Sequence, residues 1–446
     1  MTDGRVGTLP TLRILPMFVG ASQEQDEFVE WRPMTEKPVD PELCARLARE
    51  HGTPFFLYDA AVIRAQLAKL RAFDVIRFAQ KALSNLHVLR LMKAEGALVD
   101  AVSGGELERA LRAGYTGKGE PAGVVFTADV IDSATLDRVV ALDVPVNAGS
   151  SDMLEQLGAK RPGHRVWLRV NPGFGHGHSR KTNTGGPWSK HGIWHEHLDE
   201  ALRIVEKHRL DLVGLHMHIG SGADFAHLRR VCDAMVQQVR ALGLDLRAIS
   251  GGGGLPIPYR PGESAFDTAP LHALWDGARR EIEKALGHEV SLEIEPGRFL
   301  VAESGVLVAR VLAVKRVESH RFLLVDAGFN DLMRPAMYGS YHEISVLRAR
   351  GELATGASEP TVVAGPLCES GDVFTQEEGG VVVTRELPQA SVGDLVVLHD
   401  AGAYAASQAS NYNTRPHLPE FLLDGGHVRQ IRRRQTVDEL LDLEEI

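Results

Sequence analysis

The stretch VIRFAQKALSN, residues 75–85, decides how the whole chain is interpreted. It begins as a buried strand in which Arg77 is the only charged residue before Lys81, and Lys81 stands where the strand should end. A lysine in this place is either a structural cation capped by a carboxylate or a desolvated nucleophile. The stretch alone favours the structural role, because buried catalytic lysines are a minority use.

Seven further strand-like runs follow along the chain, with helical patterns between them. They are LVDAV from residue 98, VVFT from 124, VPVN from 144, VWLRV from 166, LVGLHMHI from 212, RAIS from 247 and SLEIE from 291. Such alternation is typical of βα units and a parallel sheet. Eight units predict a (β/α)8 barrel, for which about 250 residues is typical, with a doubly wound sheet as the alternative.

The pattern changes after about residue 300, where strand-like runs follow one another without helices between them. The runs are VLVARVLAVKRV, FLLVDAG, TVVAG, VVVTREL, DLVVLHDAG and HVRQIRRR, and TVDELLDLEEI ends the chain as a short acidic helix. Successive strands separated by turn residues predict an antiparallel β domain. We therefore expect an extension and lead-in to the β domain at 1–53, the barrel at 54–300 and the β domain at 301–446.

Composition and charge exclude several classes of protein. The 446 residues include 44% hydrophobic and 24% charged residues, which describes an ordinary globular chain long enough for two domains. A net charge of −10 argues against nucleic acid or an anionic membrane as the main partner. The three cysteines have no CxxC spacing, and neither a signal peptide nor a long apolar run is present, so we expect a cytoplasmic protein.

Polar side chains stand at the predicted carboxyl ends of five barrel strands and a glycine run at a sixth, and this end carries the chemistry in the barrel fold. Burying so many polar groups is costly unless they pair with one another or with a ligand. The set comprises Lys81, Asp100, Ser103, Arg169, His216, His218, Ser221, the glycines at 251–254, Glu293, Glu295 and Arg298.

The four consecutive glycines at 251–254 predict a phosphate site. Glycine lets backbone N–H groups approach an anion closely, and such barrels often bind phosphate near strands seven and eight, although a plain turn is the alternative. The run does not match GxGxxG, which disfavours a dinucleotide. A phosphate site, a lysine and a carboxylate in one barrel mouth indicate pyridoxal 5′-phosphate (PLP). The lysine would form the Schiff base with the cofactor, and the carboxylate would keep the pyridine nitrogen protonated.

Seven motifs, in the right order, make the chain resemble a known family: FAQKA, DAVSGGE, GLHMHIGSG, EPGR, DAGFNDLMRPAMYGSYH, GPLCESGD and DAGAY. Over about residues 50–435 the chain is similar to the fold type III, alanine racemase-like, PLP decarboxylases. The resemblance implies a (β/α)8 barrel with a β domain, PLP-dependent decarboxylation of an amino acid, and a homodimer with shared active sites. The motif KALSN departs from the usual KAN of the family.

The resemblance also implies roles for residues of the barrel. Lys81 resembles the Schiff-base lysine, Glu295 the partner of the pyridine nitrogen, and His218 the ring that stacks on the cofactor. The other residues expected near the cofactor or its phosphate are Asp100, Arg169, Ser221, Gly252, Gly253, Gly254, Arg298 and Tyr404.

In the β domain the resemblance implies a proton donor and substrate contacts. Cys368 resembles the proton donor, and an ordinary thiol with a pKa of about 8.5 is mostly protonated at neutral pH. Cys368 and Glu369 are both expected to reach the site of the other subunit. The residues expected to contact substrate are Arg298, Arg334, Tyr338, Glu369 and Tyr404.

The distal contacts set the expected substrate. Arg334 suits a carboxylate and Glu369 an ammonium, so together they fit an amino acid with a second amino-acid head, such as meso-2,6-diaminopimelate, with L-lysine as product. The alternatives are decarboxylation of ornithine, lysine or a carrier-bound amino acid, a racemase, and a non-catalytic PLP carrier. Glu295 argues against a racemase, since racemases of this fold place arginine at the pyridine nitrogen, and the β domain with Cys368 argues against a carrier.

A histidine-rich segment, NPGFGHGHSRKTNTGGPWSKHGIW at 171–194, raises the question of a metal. It brings His176, His178 and His191 close in sequence to His195 and His197. Because HExxH is absent, an active-site loop is favoured over a metal site.

Overall fold

The computed structural model describes residues 40–175, 183–218, 220–222 and 224–445. The predicted extension at 1–39 lies outside these ranges, as do His176 and His178 of the histidine-rich segment. Within the described ranges, no helix is long and apolar enough to cross a membrane.

The first described elements are helix α1 (Pro41–His51) and strand β1 (Phe55–Asp59), and neither is part of the barrel. β1 pairs antiparallel with residues 305–308 and parallel with residues 420–423. Both of its faces are apolar: Phe55 and Leu57 pack in a cluster with α1, whereas Phe56 and Tyr58 join the main core. The strand therefore lies between α1 and the rest of the molecule and outside the barrel, although the predicted barrel domain began at residue 54.

Eight strands form the predicted barrel, and all of their pairings are parallel. The strands of this sheet are β2 (Val75–Ala79), β3 (Leu98–Ala101), β4 (Val124–Ala128), β5 (Val146–Ala148), β6 (Arg165–Asn171), β7 (Ile193–Trp194), β8 (Asp211–His216), β9 (Ala248–Ser250) and β10 (Ser291–Ile294). The short β7 is an addition paired with β6, and pairing of β10 with β2 and of β5 with β6 closes the ring of the other eight. The closed parallel ring confirms the (β/α)8 architecture.

The helices of the barrel comprise one that precedes the first barrel strand and others that lie between the strands or after the last one. They are α2 (Ala60–Ala68), α3 (Leu86–Ala94), α4 (Gly104–Arg112), α5 (Ser133–Ala141), α6 (Ser151–Lys160), α7 (Leu198–Lys207), α8 (Phe225–Leu242), α9 (Thr268–Leu286) and the short α10 (Arg298–Val301). Side chains that accept from otherwise unpaired backbone N–H groups cap seven of them, at Asp59, Asn85, Ser103, Asp132, Ser150, Asp224 and Asp267. Ser103, which stands among the polar residues of the mouth in the sequence, is thus the cap of α4.

Polar residues also fill the barrel interior. The guanidinium of Arg77 binds both carboxylate oxygens of Glu293, at 3.0 and 3.2 Å, and donates to the carbonyl of Ala122 at 2.9 Å. Both side chains are almost fully buried, and such a pair is tolerated because its hydrogen bonds are satisfied. Glu293 therefore has a structural partner, which separates it from Glu295 two residues later.

The C-terminal part forms the predicted β domain, with short helices between some strands. Its elements are β11 (Gly305–Val317), β12 (His320–Val325), α11 (Arg334–Tyr338), β13 (Ile344–Leu347), β14 (Ser358–Ala364), β15 (Gln376–Glu377), β16 (Val381–Val382), β17 (Arg385–Pro388), β18 (Leu395–Leu398), β19 (Glu420–Asp424), β20 (His427–Arg432) and α12 (Val437–Leu441). In the main sheet, the β1–β19 and β12–β14 pairs are parallel and the other pairs are antiparallel. The acidic C-terminal helix is α12, which begins with a capping box of Thr436 and Glu439.

The pairing of β1 bears on the domain boundaries. We propose a barrel domain from Ala60 to Val301 and a β domain assembled from the segments on both sides of it. This keeps the predicted change near residue 300 and moves the first boundary from residue 54 to the start of α2.

Candidate active site

A cavity of about 250 Å³ opens where the carboxyl ends of the barrel strands meet the β domain. The predicted residues that line it are Lys81, Asp100, Arg169, His218, Ser221, Gly253, Gly254, Glu295, Arg298, Arg334, Tyr338 and Tyr404. A wider cavity of about 890 Å³ adjoins it and shares Ser221, Arg298 and Arg334. Gly252, Cys368 and Glu369 are the predicted residues that do not line the first cavity.

Lys81 lies in a single 3₁₀ turn, Gln80–Ala82, directly after β2. The carbonyl of Ala82 accepts from the backbone N–H of Tyr404 at 2.9 Å and from the hydroxyl of Ser407 at 3.1 Å, so a loop of the β domain holds this turn. The side chain of Lys81 is exposed at the mouth rather than desolvated, and within the described ranges it forms no ion pair. This is the geometry of an available amine and not of a capped structural cation.

Glu295 follows β10 and is held by two neighbouring strands. Its Oε2 lies 3.0 Å from His216 Nε2, and its Oε1 accepts from the hydroxyl of Ser250 at 2.9 Å. Burial alone would raise the pKa of Glu295, but the facing imidazole of His216 and the hydroxyl of Ser250 outweigh burial and lower the pKa to about 2. Glu295 is therefore a fixed anion across the neutral pH range.

Asp100, at the end of β3, has the opposite tendency. Burial first, and then repulsion by Glu295, raise the pKa of Asp100 to about 7, although Thr127 and Lys81 act against the rise. Its Oδ1 is buried and has no hydrogen-bond partner among the described residues. The mouth thus holds one firmly ionised carboxylate and one that is easily protonated.

His218 is a neutral ring between the glycine run and the cavity. Burial, followed by the charges of Arg169 and Lys81, lowers the pKa of His218 well below its ordinary value. Its Nδ1 accepts from the backbone N–H of Gly253 at 3.2 Å, so the proton of the neutral imidazole resides on Nε2. Its carbonyl accepts from the hydroxyl of Thr184 at 3.0 Å, which ties the loop before β7 to the mouth.

The glycine run at 251–254 is needed chiefly for close backbone packing. A Cβ on Gly253 would lie 2.3 Å from the carbonyl oxygen of Glu295, and one on Gly254 would lie 2.1 Å from that of Gly220. Three of the four N–H groups donate within the protein, to Glu293 O, Ser250 Oγ and His218 Nδ1. Among the described residues the N–H of Gly254 has no acceptor, and Gly254 lines the cavity together with Ser221.

Arginine and tyrosine side chains form the side of the mouth nearest the β domain. Arg298 donates to the hydroxyl of Tyr259 at 2.9 Å, and its guanidinium lies 5.3 Å from the ring centroid of Tyr404. Arg334, the first residue of α11, is 3% exposed and lies over Tyr259 at 4.6 Å. Tyr338 ends the same helix and lines the cavity beside them.

Cys368 and Glu369 lie on the surface of the β domain. Both are exposed, the backbone N–H of Cys368 donates to Asn413 Oδ1 at 3.0 Å, and the carboxylate of Glu369 accepts from the hydroxyl of Tyr412. Neither residue lines the cavity of its own chain.

Several residues of the site carried no role in the sequence analysis. His216 and Ser250 hold Glu295, Thr127 faces Asp100, Tyr259 lies between the two arginines, and Ser340 lines the cavity. His216 stands two residues before His218 at the end of a predicted strand, which is a usable signal. Tyr259 lies in a long connection, and only the fold shows where that connection runs.

The histidine-rich segment contributes a structural contact. His191 Nδ1 lies 2.6 Å from Asp129 Oδ2, and the N–H of Gly192 donates to Asp129 Oδ1 at 2.8 Å. Across the described ranges, no three His, Cys, Asp or Glu side chains come together as a metal site. His191 therefore anchors the loop to the end of β4.

The polar groups of the mouth fit PLP. An exposed amine, a permanently ionised carboxylate and a neutral imidazole suit its aldehyde, its protonated ring nitrogen and its ring face. The N–H of Gly254, which has no acceptor within the described ranges, suits its phosphate together with Ser221 and the cation of Arg298.

Comparisons with known proteins agree with this chemistry. The family "Pyridoxal-dependent decarboxylase, pyridoxal binding domain" matches residues 60–302. The diaminopimelate decarboxylase of Escherichia coli K12 is 63% identical over 411 residues, which are 92% of this chain and 98% of that protein.

Solved structures give the same result. A crystal structure of diaminopimelate decarboxylase is 62% identical, with a TM-score of 0.89, and covers 92% of this chain and 98% of that one. The Helicobacter pylori diaminopimelate decarboxylase complexed with L-lysine is 32% identical, with a TM-score of 0.76, over 89% of this chain and 98% of that one. The chain belongs to the fold type III, pyridoxal-dependent decarboxylases.

Proposed function

We propose that this chain decarboxylates meso-2,6-diaminopimelate with PLP, releasing CO2 and L-lysine. The observation that carries the substrate is Arg334, whose hydrogen-bond partners in the described structure are the side chains of His342 and Ser340, neither of them a carboxylate. Burial lowers the pKa of this guanidinium and outweighs the effect of Asp400, which acts to raise the pKa, so a second substrate carboxylate paired directly with Arg334 would stabilise the cation. The names of the relatives favour the same substrate over ornithine or lysine.

The cofactor supplies an electron sink for the pair left on carbon when CO2 departs. We assign its covalent attachment to Lys81 Nζ, its ring proton to the carboxylate of Glu295, and the packing on its ring face to His218. Asp100 and Arg169 border the same space. The residues assigned to the phosphate are Ser221, Gly254, Arg298 and Tyr404, with Gly252 and Gly253 shaping the loop.

The product fixes which end of the substrate reacts. L-lysine retains the L centre of the meso compound, so CO2 leaves from the D centre and the L-configured head lies at the distal end. Arg334 can bind the carboxylate of that head through two parallel hydrogen bonds, with Tyr338 beside it. Glu295 argues against a racemase, and a substrate without a second carboxylate would offer no anion to the guanidinium of Arg334.

We also propose that the active unit is a homodimer with shared sites. Cys368 would donate the proton to the reacting carbon and Glu369 would contact the distal ammonium, each in the site of the other subunit. Both are exposed and neither lines the cavity of its own chain, which supports this arrangement. The three unpaired cysteines suit a reducing compartment, and we propose the cytoplasm.

The test is to incubate the purified protein with PLP and a panel of amino acids, and to measure the CO2 released. We expect release from meso-diaminopimelate, with L-lysine as the only amino-acid product. Release from ornithine or lysine, with none from meso-diaminopimelate, would reject the proposed substrate while leaving a decarboxylase.

A further inference from the structure

Three groups hold the guanidinium of Arg334 in place. Its Nη1 lies 2.8 Å from His342 Nε2, its Nη2 donates to Ser340 Oγ at 3.3 Å, and its Cζ lies 4.6 Å from the ring centroid of Tyr259. Arg334 is 3% exposed and His342 is 2% exposed, so water does not compete for these contacts.

The backbone fixes the protonation pattern of His342. Its Nδ1 lies 2.8 Å from the carbonyl oxygen of His399, which can only accept, so Nδ1 carries a proton. Arginine can only donate, so Nε2 of His342 must offer a lone pair to Arg334 Nη1. His342 is therefore a neutral imidazole that links a backbone carbonyl to a guanidinium.

This link leaves part of the guanidinium available to a ligand. Arginine has five N–H donors, and His342 and Ser340 take two of them, which leaves three. The side chain lines both cavities of the mouth, so the remaining donors are within reach of a bound molecule. A guanidinium held by one side binds a planar anion at low entropic cost, because its rotamer is already chosen.

We propose that His342 is a positioning residue for substrate specificity, which holds Arg334 in the orientation that receives the distal carboxylate. This inference rests on the proposed function, because it assumes a substrate with a carboxylate at its far end. His342 does not touch the substrate; it acts through Arg334. Its removal should therefore weaken recognition of the distal carboxylate and leave binding of the reacting end nearly unchanged.

The probes are L-lysine and 1,5-diaminopentane, which differ only in the carboxylate that remains at the distal end. Each is titrated into the PLP-loaded protein by calorimetry, and the ratio of their dissociation constants measures recognition of that carboxylate. In His342→Ala we expect the preference for L-lysine to fall roughly tenfold, the range of one hydrogen bond to a charged group. The KM for meso-diaminopimelate should rise in parallel, with a smaller change in kcat.

Two conservative variants separate positioning from packing. His342→Gln places a carbonyl oxygen near the position of Nε2 and should restore most of the preference. His342→Asn can still donate to the carbonyl of His399 but is too short to accept from Arg334, so it should behave like His342→Ala. Ser345→Ala is the matched control, because the hydroxyl of Ser345 lies 2.8 Å from His399 Nε2 and does not contact Arg334. The preference of this variant for L-lysine over 1,5-diaminopentane should be unchanged.

The outcomes distinguish the inference from the proposed function. An unmutated protein that neither prefers L-lysine over 1,5-diaminopentane nor decarboxylates meso-diaminopimelate would reject the function. A clear preference in the unmutated protein that persists in His342→Ala, at equal melting temperature, would reject the role of His342. If His342→Ala does not fold, the comparison of His342→Gln with His342→Asn decides, and equal preference in these two variants would overturn the inference.

Discussion

At the scale of single residues, the site depends on two carboxyl groups with opposite protonation tendencies near one amine. Glu295 has a pKa of about 2 because His216 and Ser250 outweigh the effect of its burial, whereas burial and Glu295 itself raise the pKa of Asp100 to about 7. Near neutral pH, Glu295 and Asp100 together therefore carry between one and two negative charges. Lys81 stands beside this pair with its amine exposed.

The first prediction concerns that amine. Reduction of the PLP-loaded protein with borohydride should fix the cofactor to Lys81, and peptide mass mapping should locate it there. Lys81→Ala should lose the label, because no other lysine lines the cavity in the described structure. A label found on Lys190, in the loop before β7, would contradict the assignment.

The second prediction concerns the pH dependence of stability. Asp100 has a folded pKa above its unfolded value, so its contribution is fully present at low pH and is lost as pH rises through about 7. Asparagine does not titrate, so Asp100→Asn should not lose stability in this way as the pH rises. In the cofactor-free protein, the melting temperature of Asp100→Asn relative to the unmutated chain should rise between pH 5 and pH 8, by the equivalent of on the order of 1–3 kcal/mol. A difference that does not vary with pH would contradict the raised pKa.

The residues that were predicted share one property: they stand at the ends of strands whose pattern is legible in the sequence. Lys81 and Glu295 end the first and last barrel strands, and the closed ring brings these strands side by side. The contact of His342 with Arg334 could not be predicted in this way, because it depends on the irregular chain between α11 and β13. The hydrogen bond from His342 Nδ1 to the backbone carbonyl of His399 could not be predicted either, because His399 lies 57 residues further along the chain.

At the scale of elements, the barrel strands were predictable because β-branched runs alternate regularly with helical patterns. The placement of β1 was not, because its partners, β11 and β19, lie about 250 and 365 residues away along the chain. A buried strand with two apolar faces gives no local sign of the sheet that it joins. The predicted role of the glycine run in phosphate binding stays a prediction, whereas the structure gives close backbone packing as the reason for glycine at these positions.

The third prediction follows from that packing. Gly254→Ala should lower the free energy of unfolding by about 2 kcal/mol or more, because φ is +94° and the new Cβ would lie 2.1 Å from the carbonyl oxygen of Gly220. It should also weaken PLP binding. Gly277→Ala, inside α9 with open space around it, is the matched control and should stabilise the protein by about 0.5–1 kcal/mol. Equal denaturation midpoints for the two variants would contradict the packing argument.

At the scale of the whole molecule, a single chain brings together the amine, the ring partner and the distal arginine, but not the thiol. Lys81 lines the mouth while Cys368 is exposed on the β domain. A two-fold dimer would supply the thiol of one chain to the cavity of the other, giving two composite sites.

The fourth prediction tests this assembly by complementation. Lys81→Ala and Cys368→Ala homodimers should each be nearly inactive. In a random mixture half of the dimers are hybrids, each with one intact site, so the pool should recover roughly a quarter of native activity. Co-purification of differently tagged chains shows that exchange has occurred, and exchange without recovered activity would contradict the shared site.

The central claim is that the chain removes CO2 from an amino acid whose far end carries a carboxylate held by Arg334. The most direct test compares kcat/KM for meso-diaminopimelate and for D-lysine, which keeps the reacting D centre and lacks the distal carboxylate, in the unmutated protein and in Arg334→Ala. We expect a strong preference for meso-diaminopimelate that falls by roughly 10- to 150-fold in the variant, the value of a charge-assisted contact of about 1.5–3 kcal/mol. Equal use of both substrates by the unmutated protein, or a preference that Arg334→Ala retains, would contradict the claim.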